Sequence, residues 1–587
     1  MHPSVAERLS RLAPDQRTAA TAPDGPVLCV APAGSGKTTT LVARVAWLVD
    51  RGEDPRAITV VAFNKRAAEE LAERLDAALE PLGASATHDG GVRVRTFHAL
   101  GREVLAEAGV DVSVLADRDA VVRGLWPDMP AADRGRLDLA FSRLKLDLRV
   151  AVEDVAADEA AGPVARAWVA YEGALRDSGA LDFDDLVLRA LRLLEADAAA
   201  RGQWRARCGQ LLVDEAQDLD RTQLDLALLL AAPADRLFLV GDDDQTVYGW
   251  RLADVRRVLT LASALPGLRR VDLETNYRCP PPVVERAVRL VEHNRERFVK
   301  RIVAGPRNAG RLVIAPDASD DVVRIARAMR GWPPDGTTRA VLARTNRELL
   351  VPLVVAVEQG MAFRAPDIAL PIEDARLDAL LERAGQDAAA PTPLVALARL
   401  RAECRAAEDA RPPDDPDRPA EGDLVTALLG WAAAVPTLDV LGDAVRVFRA
   451  RLAQLRRDDA PLTLATAHGT KGLEWDHVLV LADGFPGRRS VADAAEPERA
   501  LEEERRLAYV AWTRARRSLT LLFDPAAPSR FLLEAFLPDE LGLTRGAARA
   551  PPFGAIRQRP EARAPRSTTA EAESLHPPES RADEPAA

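Results

Sequence analysis

Lys37 and Thr38 end the run APAGSGKT at 31–38, which has the make-up of a phosphate-binding loop with Ala31 in the first glycine place. Gly34 and Gly36 permit a tight turn whose backbone N–H groups wrap phosphate oxygens. Pro32, Ala33 and Ser35 fill out the turn, and Thr39 carries it onward. VLCV at 27–30 precedes the loop and TTTLVARVAWLV follows it, so the loop joins a strand to a helix whose N-terminus faces the same charge. In that setting Lys37 is expected to reach the β- and γ-phosphates of a nucleotide, and the Thr38 hydroxyl to hold Mg²⁺. A chance Gly/Ser loop would lack this strand, this helix and this lysine.

A second run, LLVDEAQD at 211–218, ends an apolar stretch in two carboxylates. At the C-terminal edge of a strand, Asp214 is expected to join the Mg²⁺ shell, and Glu215 to orient and deprotonate an attacking water. A carboxylate poised for water means hydrolysis. A small-molecule kinase would need an acceptor pocket instead.

The elements that must hold these residues recur along the chain. Short apolar, β-branched runs lie at 27–30, 58–63, 92–97, 211–215, 237–242 and 271–275. More lie at 311–315, 340–345, 462–467, 478–483 and 519–524, with helical stretches between them. That alternation predicts parallel sheets covered on both faces, and the two groups of runs predict two α/β domains in tandem. Residues 105–205 and 372–455 lack strand patterning and read as helical insertions, the second broken by the acidic, proline-rich link 411–423. From 545 to 587 the chain is rich in Pro, Ala, Arg, Ser and Glu, and this tail is expected to be disordered.

The length, 587 residues, allows about three to five domains. The formal charge is −11, from 79 basic and 90 acidic residues. That argues against a protein coated in positive charge, but leaves room for a local basic groove. Five of the basic residues are lysines, Lys37, Lys65, Lys145, Lys300 and Lys471, and the rest are arginine. A lysine kept in such a chain marks a place where arginine does not substitute. The four cysteines form no CxxC pair, which excludes a zinc ribbon or iron–sulfur motif, and the seven histidines show no ligand spacing. No run approaches the ~20 apolar residues of a membrane span, and the first residues carry no secretory pattern. A cytoplasmic location is expected.

Further motifs follow the first two in order: GDDDQTVYGWR at 241–251, NYR at 276–278, HGTKGLEWD at 468–476 and YVAWTRA at 509–515. Together with the phosphate loop and DEAQD, they resemble the UvrD/Rep-like DNA helicases of superfamily 1, from about residue 8 to about 527. The resemblance implies two tandem RecA-like P-loop domains, the first at 8–104 and 206–279, the second at 280–371 and 456–530. The helical insertion 105–205 interrupts the first, and 372–455, shorter than the family's usual accessory domain, interrupts the second. Gln16 falls at the adenine-reading glutamine, Tyr277 at the residue that stacks on adenine, and Arg278 where it reaches the γ-phosphate. Gln245 matches the glutamine that couples ATP to DNA, Arg514 the arginine finger, and Glu474 a ribose contact.

The resemblance also places a single-strand DNA path at Phe63, Asn64, Thr96, Phe97, His98, Tyr248, Trp250, Arg251, Arg344, Thr345, Asn346, Thr466 and His468. Stacking platforms and backbone donors are what hold a single strand. A core role stays open for Phe63 and Phe97. Asp182, Asp184 and Asp185 in LDFDDLV read as a helix cap, with metal binding as the alternative. Asn64 stands where the family usually has Thr, and Leu252 where a glycine usually follows Arg251. The implied activity is an ATP- and Mg²⁺-dependent 3′→5′ DNA helicase of repair or recombination, acting as a monomer on single-stranded and 3′-tailed duplex DNA. Repair proteins could contact it through the tail or the short insertion. Competing readings are a translocase that strips proteins but unwinds poorly, a P-loop phosphotransferase, and an ATP-gated DNA-binding scaffold.

Overall fold

A computed structural model describes residues 1–543 apart from 88–89, 159, 307, 367, 369, 388, 411–419, 433–434, 488–490, 492–493 and 495. Part of the acidic link (411–419) and the whole of the tail expected at 545–587 therefore lie outside the described residues.

The first six apolar runs form one parallel sheet: β1 (Val27–Val30), β2 (Ile58–Ala62), β3 (Arg93–Thr96), β4 (Gln210–Val213), β5 (Leu237–Gly241) and β6 (Arg269–Asp272), in the order β3-β2-β4-β5-β1-β6. Side chains alternate across it: Val27 and Cys29 enter one core, Leu28 and Val30 the other. Burial on both faces is why these runs are apolar throughout rather than alternating. After a short parallel pair, β7 (Thr275–Asn276) and β8 (Val303–Ala304), a second parallel sheet forms. It contains β9 (Arg311–Pro316), β10 (Arg339–Ala343), β11 (Phe363–Arg364), β12 (Leu462–Thr466), β13 (Trp475–Leu481) and β14 (Ala515–Phe523), in the order β11-β12-β10-β13-β14-β9. The expected α/β architecture with two parallel sheets is therefore present. The two-residue strands β7, β8 and β11 are additions too short to leave an apolar run.

The adjacency of β2, β4, β5 and β1 matters most for the site. Their C-terminal ends lie side by side, so the segments that follow, at 63–64, 214–218, 242–245 and 31–38, share one edge. Open α/β sheets bind ligands at that edge.

Among the described residues of 105–205 the elements are helical apart from one isolated bridge, Leu115 to Leu181. These helices divide between two cores. Val122, Leu137, Phe141, Trp168, Tyr171 and Leu175 pack together. The last two helices, Phe183–Ala196 and Ala198–Arg207, instead pack under the first sheet with Val61 and Leu211. In the second insertion, Leu377, Leu397, Leu424, Val425, Leu441 and Val445 share a core of their own.

Asp182 caps the helix Phe183–Ala196 in a reciprocal capping box with Asp185. Its carboxylate also accepts from Lys145 Nζ, Arg118 and the Tyr171 hydroxyl, each at 2.8 Å. The cap reading of LDFDDLV thus fits, and the protein's own cations fill the place a metal would take. Replacing one member of a buried network leaves the others unpaired. The Asp182→Ala variant is expected to lose about 3–5 kcal/mol of stability, read as an earlier transition in chemical denaturation. An unchanged transition would refute the role given to the network.

Candidate functional site

The loop after β1 has the geometry an anion needs. Gly34 and Gly36 adopt left-handed φ values of 69° and 83°. Neither position has room for a side chain: a Cβ on Gly34 would stand 2.7 Å from the Arg278 Cβ, and one on Gly36 would stand 2.6 Å from Gln16 Nε2. Gly36 caps the helix Lys37–Asp50, whose free N–H groups face the same space. Lys37 Nζ donates to the Ala31 carbonyl at 3.3 Å.

A cleft of about 870 Å³ opens here, with walls from both sheets. The first sheet's side supplies residues 32–39, Phe63, Asn64, Asp214, Glu215, Gln245 and Tyr248. The second supplies Lys471, Glu474, Arg514 and Arg516, with Tyr277 and Arg278 between them.

Glu215 takes a left-handed φ of 52°, a conformation that costs a non-glycine residue about 1–3 kcal/mol. Its N–H donates to the Asp214 carboxylate at 2.9 Å, and Gln217 Nε2 donates to Glu215 Oε2 at 2.7 Å. Burial and the adjacent Glu215 charge push the Asp214 carboxyl up. Burial would also raise Glu215, but Lys37 and Lys471 hold it down and keep it ionised. Two adjoining half-buried carboxylates with the Thr38 hydroxyl in the same cleft are a donor set suited to a hard divalent cation.

Arg514, which follows the helix Pro497–Trp512, is 1% exposed. It donates to the Val510 carbonyl at 2.8 Å, the Leu473 carbonyl at 3.2 Å and Gln245 Oε1 at 3.0 Å. Among the described residues no carboxylate pairs with it. Burial, reinforced by Arg278, lowers its pKa to about 10. Lys471 crosses the same gap: it bonds the Asp218 carboxylate and, at 3.1 Å, the Gln245 carbonyl, and stands 3.9 Å from Glu215. Burial would lower Lys471, but the Asp218 and Glu215 carboxylates raise it. Arg278 pairs with Glu474 at 2.5 Å, so those two expected nucleotide contacts hold one another here. Tyr277 is 45% exposed at the mouth of the cleft.

Gln16 sits differently from the expectation. It is buried behind the loop, donating to the Ser35 carbonyl at 2.8 Å and accepting from the Ala13 N–H at 3.0 Å. Its amide nitrogen braces the loop and its amide oxygen caps its own helix, Pro14–Ala20, rather than facing the cleft.

Beside the cleft runs an aromatic file. Phe63 and Tyr248 stack at 5.1 Å, and Tyr248 meets Trp250 edge-on at 6.0 Å. Arg251 covers the Trp250 ring at 4.6 Å, and Lys471 Nζ lies 5.9 and 5.2 Å from the Phe63 and Tyr248 rings. Trp250 is 51% exposed. One ammonium therefore touches both the Asp218–Glu215 carboxylates and the file.

Other expected DNA contacts divide into presented and occupied groups. His98 stacks on Phe183 at 4.0 Å, and Phe183 is 57% exposed. Asn64 and Thr96 cap the helices that follow them, accepting from Ala67 at 2.8 Å and Ala99 at 3.2 Å. Asn at 64 thus does the capping work that Thr would do. Arg344 is forked onto Glu504 at 2.6–3.0 Å. His468 lies close by, its pKa lowered to about 4 by burial and by Arg344. Thr345 and Asn346 are exposed beyond β10, and Thr466 is half-buried at the end of β12. Phe97 is a correction: it is 4% exposed and packs with Leu100, Val104 and Leu186, so it is core and not a base platform.

Leu252 has a φ of 66°, the region that favours glycine. Its side chain offsets the strain by packing with Leu146 and Leu188. Sequence reasoning missed Phe183, which stands clear of its helix's apolar stripe. It also missed Gln217, which fixes the Glu215 carboxylate.

The "UvrD/REP helicase N-terminal domain" profile matches residues 12–266, and the "UvrD-like helicase C-terminal domain" profile matches 449–524. The ATP-dependent DNA helicase UvrD2 of Mycobacterium tuberculosis is 31% identical over 585 residues, covering 88% of this chain and 80% of the relative. The ATP-dependent DNA helicase Rep of Escherichia coli is 33% identical over 308 residues, covering 50% of this chain and 45% of Rep. The ATP-dependent DNA helicase PcrA of Leuconostoc citreum is 32% identical over 302 residues, covering 49% and 40%. The match thus spans less than half the length of Rep and PcrA.

Proposed function

The chain belongs to the UvrD/REP helicase family, and from that premise we propose that it is an ATP-dependent DNA helicase moving 3′→5′ along single-stranded DNA. One observation carries the reading: the cleft draws its walls from both sheets, and Arg514 of the second bonds Gln245 of the first. A ligand in the cleft tightens the two halves, and its hydrolysis releases them.

The segments 8–104 with 206–279, and 280–371 with 456–530, act as the two motor domains. The loop N–H groups and Lys37 hold the phosphates, and Tyr277 stacks on the base. Thr38 and Asp214 would hold Mg²⁺, which would supply neutralising charge for the phosphates. Glu215 takes the proton of the attacking water, and Arg514 neutralises charge on the transferred phosphoryl group. Lys471 and Gln245 relate that chemistry to the file Phe63–Tyr248–Trp250, on which bases stack. His98 with Phe183 extends the path, and the polarity and a role in repair or recombination follow the family resemblance.

The test is ATP hydrolysis with and without single-stranded DNA, followed by unwinding of 3′- and 5′-tailed duplexes. DNA-stimulated release of free phosphate and opening of the 3′-tailed substrate are expected. Displacement of a bound protein without opening would favour the stripping translocase. A phosphorylated acceptor would overturn the reading.

Trp250→Ala removes the most exposed ring of the file. Loss of one base platform is expected to weaken single-strand binding by about 1–3 kcal/mol, measured by titrating a fluorescent oligonucleotide. An unchanged affinity would move the DNA path elsewhere.

A further inference from the structure

Lys300 lies outside every motif above, yet its side chain is 1% exposed. Its Nζ meets one carboxylate from each of three consecutive residues: Asp242 Oδ1 at 3.0 Å, Asp244 Oδ2 at 2.9 Å, and Asp243. The three carboxylates converge closely enough to hold an ion, and the ammonium fills that place. Three like charges at adjacent positions do not stay together without a cation. An ammonium offers three N–H donors in three directions, whereas a planar guanidinium cannot face all three acceptors. This is the one site among the described residues where the chain sets a lysine against three successive aspartates.

The first aspartate of this cluster touches the hydrolytic centre. Asp242 Oδ2 accepts from Gln245 Nε2 at 2.6 Å. That bond fixes the amide so that Gln245 Oε1 faces Arg514 at 3.0 Å. Lys300 is itself held from the other side. Glu502, on the helix that leads to Arg514, accepts from the Arg295 and Glu296 N–H groups at 2.8 and 3.2 Å. Arg297 forks onto Asp244 at 2.9–3.0 Å. The segment 294–300 therefore ties the arginine-bearing helix to the aspartates that aim Gln245.

We propose that Lys300 is a positioning residue for ATP hydrolysis: it holds the Asp242 carboxylate, and through it the orientation of Gln245 toward Arg514. This rests on the reading of the cleft as a DNA-stimulated ATPase. The test is a double-mutant cycle on that turnover, with Lys300→Arg made alone and together with Gln245→Ala. Lys300→Arg alone is expected to lower stimulated turnover about ten- to a hundredfold. In the Gln245→Ala background it is expected to add less than about twofold. An equal factor in both backgrounds, or no loss in either, overturns the proposal, because a merely structural lysine acts regardless of Gln245. If Lys300→Arg does not fold, Asp242→Asn keeps the volume and enters the same cycle with the same expected pattern. A wild-type protein without DNA-stimulated hydrolysis overturns the reading itself. A stimulated wild type without coupling overturns only the role of Lys300.

Discussion

Arg514→Ala is expected to lower ATP turnover about 10³–10⁵-fold, the range associated with loss of an arginine finger. The magnitude follows from where the charge sits. Arg514 is 1% exposed and makes its bonds to two carbonyls and an amide oxygen. None of these neutralises it, and burial lowers its pKa to about 10. A buried cation without a counterion gains most when an anion arrives, and most of all when negative charge grows on that anion. Arg514→Lys is expected to recover little, because an ammonium cannot replace a fork that spans Val510, Leu473 and Gln245 at once. A fluorescent ATP analogue should still bind Arg514→Ala, since the loop and Lys37 remain. Single-turnover phosphate release measures the effect, and turnover within tenfold of wild type would remove Arg514 from the chemistry.

The parts of this site that the sequence reveals are those written locally. The phosphate loop and the acidic pair each follow an apolar run, with run and motif together spanning 27–38 in one case and 211–218 in the other. The sheet order then brings those runs to one edge, as parallel α/β topology requires. What composition cannot tell is which core a helix joins. Phe183–Ala196 and Ala198–Arg207 carry no strand pattern and so look like insertion, yet they complete the first sheet's core. Phe97 ends a strand run, which suggests presentation at the edge. The spacing of Phe97, Leu100 and Val104 along the following helix was the signal that it is core. Gln16 and Arg344 are polar in the sequence, but their partners, Ser35 and Glu504, come from separate elements. The lysine count carried more than it first showed. Lys145, Lys300 and Lys471 are each buried against carboxylates, where three N–H donors on a point charge suit the geometry. Lys65 is the contrast: it is exposed and pairs at 3.8 Å with Glu69.

The Glu215→Gln variant is expected to reduce turnover about 10²–10⁴-fold, the contribution of a positioned general base, without loss of ATP binding. The choice of Glu215 over Asp214 as the base rests on their surroundings. Both are half-buried, but Lys37 and Lys471 bear on Glu215 and keep it charged, while Asp214 is driven up by desolvation and by its neighbour. Gln217 fixes one oxygen of Glu215 at 2.7 Å, and the left-handed φ of 52° turns the side chain out of the strand line. A residue that accepts strain at that point and is held by a second side chain is set for a directional task. Removing its charge also removes repulsion toward the γ-phosphate, so nucleotide affinity should hold or rise while hydrolysis fails. That split between binding and turnover separates a lost base from a damaged fold, which would weaken both. Equilibrium binding of ATP measured beside single-turnover phosphate release tests it, and turnover within threefold of wild type would assign the proton to another group.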